Sequence, residues 1–116
     1  MGGLKVRSPS TTADLVVISM NPSAGARSGR DQVERLQSLL QEDGYQVRRT
    51  SDLGELRQIS ATAMAEGKLR VVVAAGGDGT IARVLNETDP GIPLTILPLG
   101  TENLLSKYLS LFLQSL

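Results

Sequence analysis

Two rhythms of apolar and polar positions alternate along this chain. Leu15-Val16-Val17-Ile18-Ser19-Met20 is an almost unbroken apolar run, the pattern of a strand covered on both faces. Asn21-Pro22 ends it. From Ser28, an expected N-cap with Asp31 three residues on, the spacing becomes helical. Val33, Leu36, Leu39 and Leu40 share one stripe, and Gly44 suits the helix C-terminus. Tyr45 to Arg49 alternates as a short strand. Ser51 or Asp52 should cap a second helix with the stripe Leu53, Leu56, Ile59 and Ala63, closed by Gly67. Val71 to Ala75 is a third apolar run. Thr80 to Glu87 then reads as a short helix with Ile81, Val84 and Leu85 on one face. Pro90 to Pro93 is a turn, Leu94 to Leu97 a fourth strand, and a last helix begins near Thr101 or Glu102.

Strand and helix thus alternate without a long linker or an internal repeat. The expected fold is a three-layer α/β/α, doubly wound, largely parallel sheet, a Rossmann-like lobe with right-handed connections. The lobe should span 15–116. Residues 1–14 are rich in Gly, Ser and Thr, lack the apolar core of a secretion signal, and read as a disordered leader. The end of the chain from Leu104 to Leu116 is strongly apolar without a stop signal. Leu104, Leu105, Tyr108 and Leu109 have core-helix spacing, which suggests a face meant to be covered rather than one touching a membrane. The expectation is that the natural protein continues past Leu116 or that further copies of the chain, in a homo-oligomer, cover this end.

Composition narrows the chemistry. With one Phe, two Tyr and no Trp, the core of this 116-residue chain must come from Leu, Val, Ile and Ala. Twelve basic residues balance twelve acidic ones, so there is no electrostatic footprint for nucleic acid. Most of the dispersed cations (Lys5, Arg7, Arg27, Arg30, Arg48, Arg49, Arg57, Arg70) read as solvated surface, although Arg27 and Arg30 follow the first loop closely enough to approach a phosphate. There is no Cys and no His, which excludes disulfides, thiolate metal sites and His-based triads within the chain. Acid–base work would fall to Asp, Glu, Lys or Tyr, and no residue set has metal-ligand spacing. No apolar run is long enough to span a bilayer, and a cytoplasmic setting is the default.

The candidate chemistry sits where strands hand over to helices. Val71-Val72-Val73-Ala74-Ala75 runs straight into Gly76-Gly77-Asp78-Gly79-Thr80. The helical spacing that follows argues against a hairpin. Successive glycines allow close backbone approach, and a helix N-terminus favours an anion such as phosphate. A lone carboxylate there would repel phosphate unless a cation intervenes or the carboxylate accepts a proton from a nucleophile. Asp78 is therefore the candidate catalytic residue, with helix capping as its plain alternative. Neither a Walker A sequence nor G-x-G-x-x-G is present. Two further junctions, Asn21-Pro22-Ser23-Ala24-Gly25 and Leu99-Gly100-Thr101-Glu102-Asn103, offer hydrogen-bonding side chains and close-approach glycines. Thr50 ends the second strand. In a parallel sheet all four junctions should lie on one edge, where ligands bind.

Taken in order, Asn21-Pro22-x-x-Gly25, Gly76-Gly77-Asp78-Gly79-Thr80 and Pro98-Leu99-Gly100-Thr101-x-Asn103 resemble the three signatures of the diacylglycerol kinase catalytic domain family, which includes sphingosine kinases and is distantly similar to NAD kinases. Thr50, with Gly54 after it, resembles that family's further nucleotide-contacting Thr. The resemblance implies an ATP-dependent lipid kinase using Mg²⁺. It implies nucleotide contacts from Asn21, Ser23, Gly25 and Thr50, a backbone phosphate cradle at Gly76, Gly77 and Gly79, and a phosphate path lined by Thr80, Gly100 and Thr101. Asp78 would act on the attacking lipid hydroxyl or through Mg²⁺ and water. Arg83 stands where the family carries Glu, exchanging a carboxylate for a cation, and Asn86-Glu87 stands where it often has Asn-Gly. The resemblance implies a second, mostly β domain that supplies much of the lipid site, and the expectation is that these 116 residues do not include it. The 116 residues then correspond to an N-terminal nucleotide-binding lobe, inactive alone, with peripheral membrane contact belonging to the full protein. An NAD kinase-like lobe and a non-catalytic assembly module that kept the fold are the alternatives.

Overall fold

The computed structural model of the chain describes residues 13–20 and 27–99. The expectations for the leader, for Asn21 to Gly25 and for the chain from Gly100 onward lie outside the described residues. Within them the order is β1 (Leu15–Met20), α1 (Arg27–Glu42), β2 (Gln46–Thr50), α2 (Leu53–Ala65), β3 (Leu69–Gly76), α3 (Asp78–Glu87) and β4 (Leu94–Pro98). The four strands form one sheet in the order β2-β1-β3-β4, every pair parallel.

Side-chain parity along the strands explains the layers. Val16, Ile18 and Met20 of β1, with Val71, Val73 and Ala75 of β3, pack under Val33, Leu36 and Leu40 of α1. Val17, Val72 and Ala74 point the other way, onto Leu56 and Ala63 of α2 and Val84 of α3. A strand buried on both faces cannot alternate apolar with polar, which is why β1 and β3 read as continuous runs. Each buried Val, Leu or Ile contributes about 1.5–3 kcal/mol over its exposed state. The connection from β1 to β2 uses one face, and the connections from β2 to β3 and from β3 to β4 run the opposite way on the other face. All three crossovers therefore share one hand.

Both long helices end as Gly44 and Gly67 suggest. Each glycine has positive φ, +96° and +72°. In α1 the Tyr45 N–H reaches the Leu40 carbonyl at 3.0 Å and the Gly44 N–H reaches Gln41 at 3.1 Å. Lys68 to Ala63 and Gly67 to Met64 repeat the pair in α2, so both ends are Schellman caps. Asp52, not Ser51, caps α2: its carboxylate accepts from the Gly54 and Glu55 N–H groups.

Several expectations shift. Helix α1 is already under way at Arg27, so Ser28 lies inside its first turn rather than capping it. β2 starts one residue late and includes Thr50, and β3 extends to Leu69 and Gly76. α3 begins at Asp78 instead of Thr80. Leu85 does not join the core face; it is 55% exposed. Ile81 and Val84, three residues apart, face the sheet, and one further residue turns the side chain about 100° away, into solvent. In α2 the buried seam includes Ser60, whose hydroxyl donates to the Leu56 carbonyl at 2.8 Å and so needs no other partner. Arg70 is not free surface: its Nε donates to the Ala13 carbonyl at 2.9 Å and its guanidinium lies 5.7 Å from the centre of the Tyr45 ring. Arg30, Arg48, Arg49 and Arg57 are exposed as expected.

Candidate functional site

The strand order reverses direction between β1 and β3, which leaves a crevice beyond their carboxyl ends. The register brings the junctions to this edge. Ser19 pairs with Thr50, Met20 with Ala75, and Gly76 with Pro98. The chain therefore leaves β1 toward Asn21 beside the Gly76 turn on one side. On the other side it leaves β4 toward Gly100, with the Leu99 N–H 3.4 Å from the Gly76 carbonyl. Asn21, Ser23, Gly25, Gly100 and Thr101 themselves lie outside the described residues.

The glycines of the loop do different things. Gly76 has φ +151°, a region L side chains rarely adopt, and a Cβ there would stand 2.9 Å from the Thr80 Cβ. Gly76 is thus required for the turn that seats α3 against β3. Gly77 has an ordinary extended backbone, φ −97° and ψ −170°, and serves as N-cap of α3 without a side chain to offer. A Cβ at Gly77 or Gly79 would meet nothing within 4 Å. Open space over two glycines flanking the first residue of a helix is room for a ligand to meet backbone N–H groups. Asp78 is the first helical residue, so the N-cap position belongs to Gly77 and not to Asp78. The Asp78 side chain lies outside the described residues.

Two of the helices that start at this edge, α2 and α3, differ electrically. α2 is closed by the Asp52 carboxylate, which occupies two of its N–H groups. α3 has no side-chain cap, and its first intrahelical bond runs from Ile81 N–H to the Gly77 carbonyl. The leading N–H groups of α3 have no partner within the helix, and its dipole presents positive potential to the crevice.

Thr50 sits buried at the end of β2, and its hydroxyl is engaged. It donates to the Glu55 carboxylate and accepts from the Asp52 N–H at 3.1 Å. A hydroxyl has one donor and two acceptor sites, so in this arrangement Thr50 has only an acceptor left for a ligand. Glu55, its partner, was not among the sequence candidates; its place in the first turn of a helix at this edge was the available signal.

Between the starts of α2 and α3 lies an open cleft of about 110 Å³, lined by Ser19, Ser51, Leu53, Thr80 and Arg83. Thr80 was expected here. Ser19 was missed, although its parity with Val17 places it on the α2–α3 face one residue before the end of β1. Thr80 and Arg83, three apart on α3, project to one side. No cluster of three or more His, Cys, Asp or Glu side chains able to hold a metal occurs among the described residues. No helix among them is long and apolar enough to cross a membrane.

A Rossmann-like α/β lobe, with a glycine turn at its switch point and an uncapped helix behind it, is the class this architecture defines. Residues 14–115 match the diacylglycerol kinase catalytic domain, and the chain belongs to that family. It is accordingly a catalytic lobe of the lipid-kinase type, within the kinases and transferases. No curated protein matches the chain.

Proposed function

We propose that this lobe binds ATP at the carboxyl edge of its sheet and serves transfer of the γ-phosphate to a lipid hydroxyl, such as that of diacylglycerol. The observation that carries the reading is the junction of β3 and α3. There a glycine turn with open space at Gly77 and Gly79 meets an uncapped helix N-terminus, beside the end of β1. The family match supports the same reaction class.

In this reading Gly77 and Gly79 let backbone N–H groups approach the phosphates, while Gly76 holds the turn. Asn21, Ser23, Gly25, Thr50, Gly100 and Thr101 hold the nucleotide from the neighbouring junctions, and Thr80 lines the phosphate path. Asp78 accepts the proton of the attacking hydroxyl, directly or through water. In this reading Asp78 is the carboxylate that would serve Mg²⁺ arriving with the nucleotide; Mg²⁺ needs only one or two carboxylates beside phosphates and waters. It would supply charge neutralisation on the phosphates. The lipid is held by a second, β-rich unit of the kind the family pairs with this lobe, so residues 1–116 by themselves bind nucleotide without turning it over. Any membrane contact is peripheral and belongs to that larger assembly.

The test is calorimetric titration of the chain with ATP and ADP, for the wild type and Gly77→Val. The backbone at Gly77 is allowed for any residue, so the variant should keep its circular dichroism and melting temperature. It should lose at least about tenfold in nucleotide affinity, equivalent to about 1.4 kcal/mol. A folded wild-type chain that takes up neither nucleotide at millimolar concentration sinks the reading.

A further inference from the structure

The cleft between α2 and α3 contains more than the glycine turn does. Its floor is Ser19, only 4% exposed, and no side-chain hydrogen bond joins Ser19 to another described residue. A nearly buried hydroxyl that opens only onto a cleft is a group waiting for a partner there. Ser51 and Thr80 add hydroxyls from two sides. Arg83 closes the lining, and it makes no ion pair with any described residue; the described pairs are Arg57–Asp89 and Lys68–Glu66. By contrast Arg49, Arg57 and Arg70 each engage a neighbour. The volume of about 110 Å³ has room for several waters, and so for a compact polyatomic anion.

We propose that Arg83 makes this cleft a phosphate-binding subsite, its guanidinium supplying the cation and the hydroxyls of Ser19, Ser51 and Thr80 donating to the phosphate oxygens. The planar fork of Arg matches phosphate geometry, and charge-assisted bonds of this kind are about twice as strong as neutral ones. Three rotatable hydroxyls complete the shell without bringing a second charge. The uncapped start of α3, which carries both Thr80 and Arg83, adds a field of the same sign. The α2 side cannot do so, because the Asp52 carboxylate already closes that helix. The cation at Arg83 suits the cleft to an anion. The identity of that phosphate as part of a nucleotide rests on the function proposed above; the anion site itself does not.

The test uses the whole 116-residue chain. Wild type, Arg83→Gln, Arg83→Lys and Arg83→Glu are titrated with ADP, inorganic pyrophosphate and adenosine, by calorimetry and amide chemical-shift mapping. Arg83 is exposed, so all four should melt alike. Arg83→Gln should weaken ADP and pyrophosphate about tenfold, the loss of roughly one charge-assisted bond. Arg83→Glu should weaken them further, Arg83→Lys should retain an intermediate affinity, and adenosine should be unaffected. Shifts on adding pyrophosphate should centre on Ser19, Ser51, Thr80 and Arg83. If ADP binds equally to wild type and Arg83→Gln, the subsite is refuted while the nucleotide reading stands. If pyrophosphate binds through Arg83 but ADP does not bind, the subsite stands and the nucleotide reading falls. Binding of neither refutes both.

Discussion

Gly76→Ala isolates the geometric requirement on which the glycine turn depends. The residue has φ +151°, and an added Cβ would stand 2.9 Å from the Thr80 Cβ and 3.0 Å from both its Cγ2 and Oγ1. The first problem is strain from a backbone region that disfavours side chains, of about 1–3 kcal/mol. The second is overpacking against a helix that cannot move without lifting Ile81 and Val84 off the sheet, again about 1–3 kcal/mol. The sum, about 2–6 kcal/mol, is a large fraction of the roughly 5–15 kcal/mol typical of a whole domain. For a chain of this size the melting temperature should fall by at least about 6 °C. Gly77→Ala, one residue on, meets open space in an ordinary conformation. A small N-cap loss and a small gain from a stiffer unfolded chain nearly cancel, leaving it within about 0.5 kcal/mol of wild type. Thermal and urea unfolding, followed by circular dichroism, measure both. A Thr80→Gly background removes the contact but not the backbone strain, so the cycle of Gly76→Ala with Thr80→Gly should show coupling of about 1 kcal/mol or more. If Gly76→Ala melts within about 2 °C of wild type, the turn is not held as described, and the reasoning that separates Gly76 from Gly77 fails with it.

Asp52→Ala should cost about 1 kcal/mol in urea unfolding, because two N–H groups at the start of α2 lose their acceptor; Asp52→Asn should recover most of it, and equal losses for both would show that charge rather than capping matters. Leu36→Ala, at a position 1% exposed on the buried face of α1, should cost about 2–5 kcal/mol, whereas Leu85→Ala, at 55% exposure, should stay within about 0.5 kcal/mol; a large loss at Leu85 would mean that α3 is rotated from its described orientation.

Much of this protein follows from local order along the chain. The continuous apolar runs at Val16 and Val72 could only be strands covered on both faces, and covered strands separated by helical stripes leave a parallel three-layer sheet as the natural arrangement. Gly44 and Gly67 marked helix ends because a Schellman cap needs positive φ. The loop at Gly76 was legible as a close-approach turn, and the ordered set of junction motifs pointed to the family that residues 14–115 match. What sequence order could not supply was anything that depends on the meeting of distant elements. The strand order β2-β1-β3-β4 puts Met20 beside Ala75 and so locates the crevice between β1 and β3. The division of labour among the glycines depends on the distance from Gly76 to Thr80 across the start of a helix. Leu85 had the right spacing for a core face, yet the stripe that meets the sheet is narrower than the stripe that periodicity allows. Ser19 and Arg83 are 64 positions apart and become neighbours in one cleft only because β1 lies next to β3, with α3 packed on β3 beside α2. Periodicity and turn chemistry act over a few residues, so the sequence by itself determined the type and order of the elements, while several of their ends shifted by one or two residues. Which side chains share a cleft is set by sheet order and helix placement, and only the tertiary structure decided that.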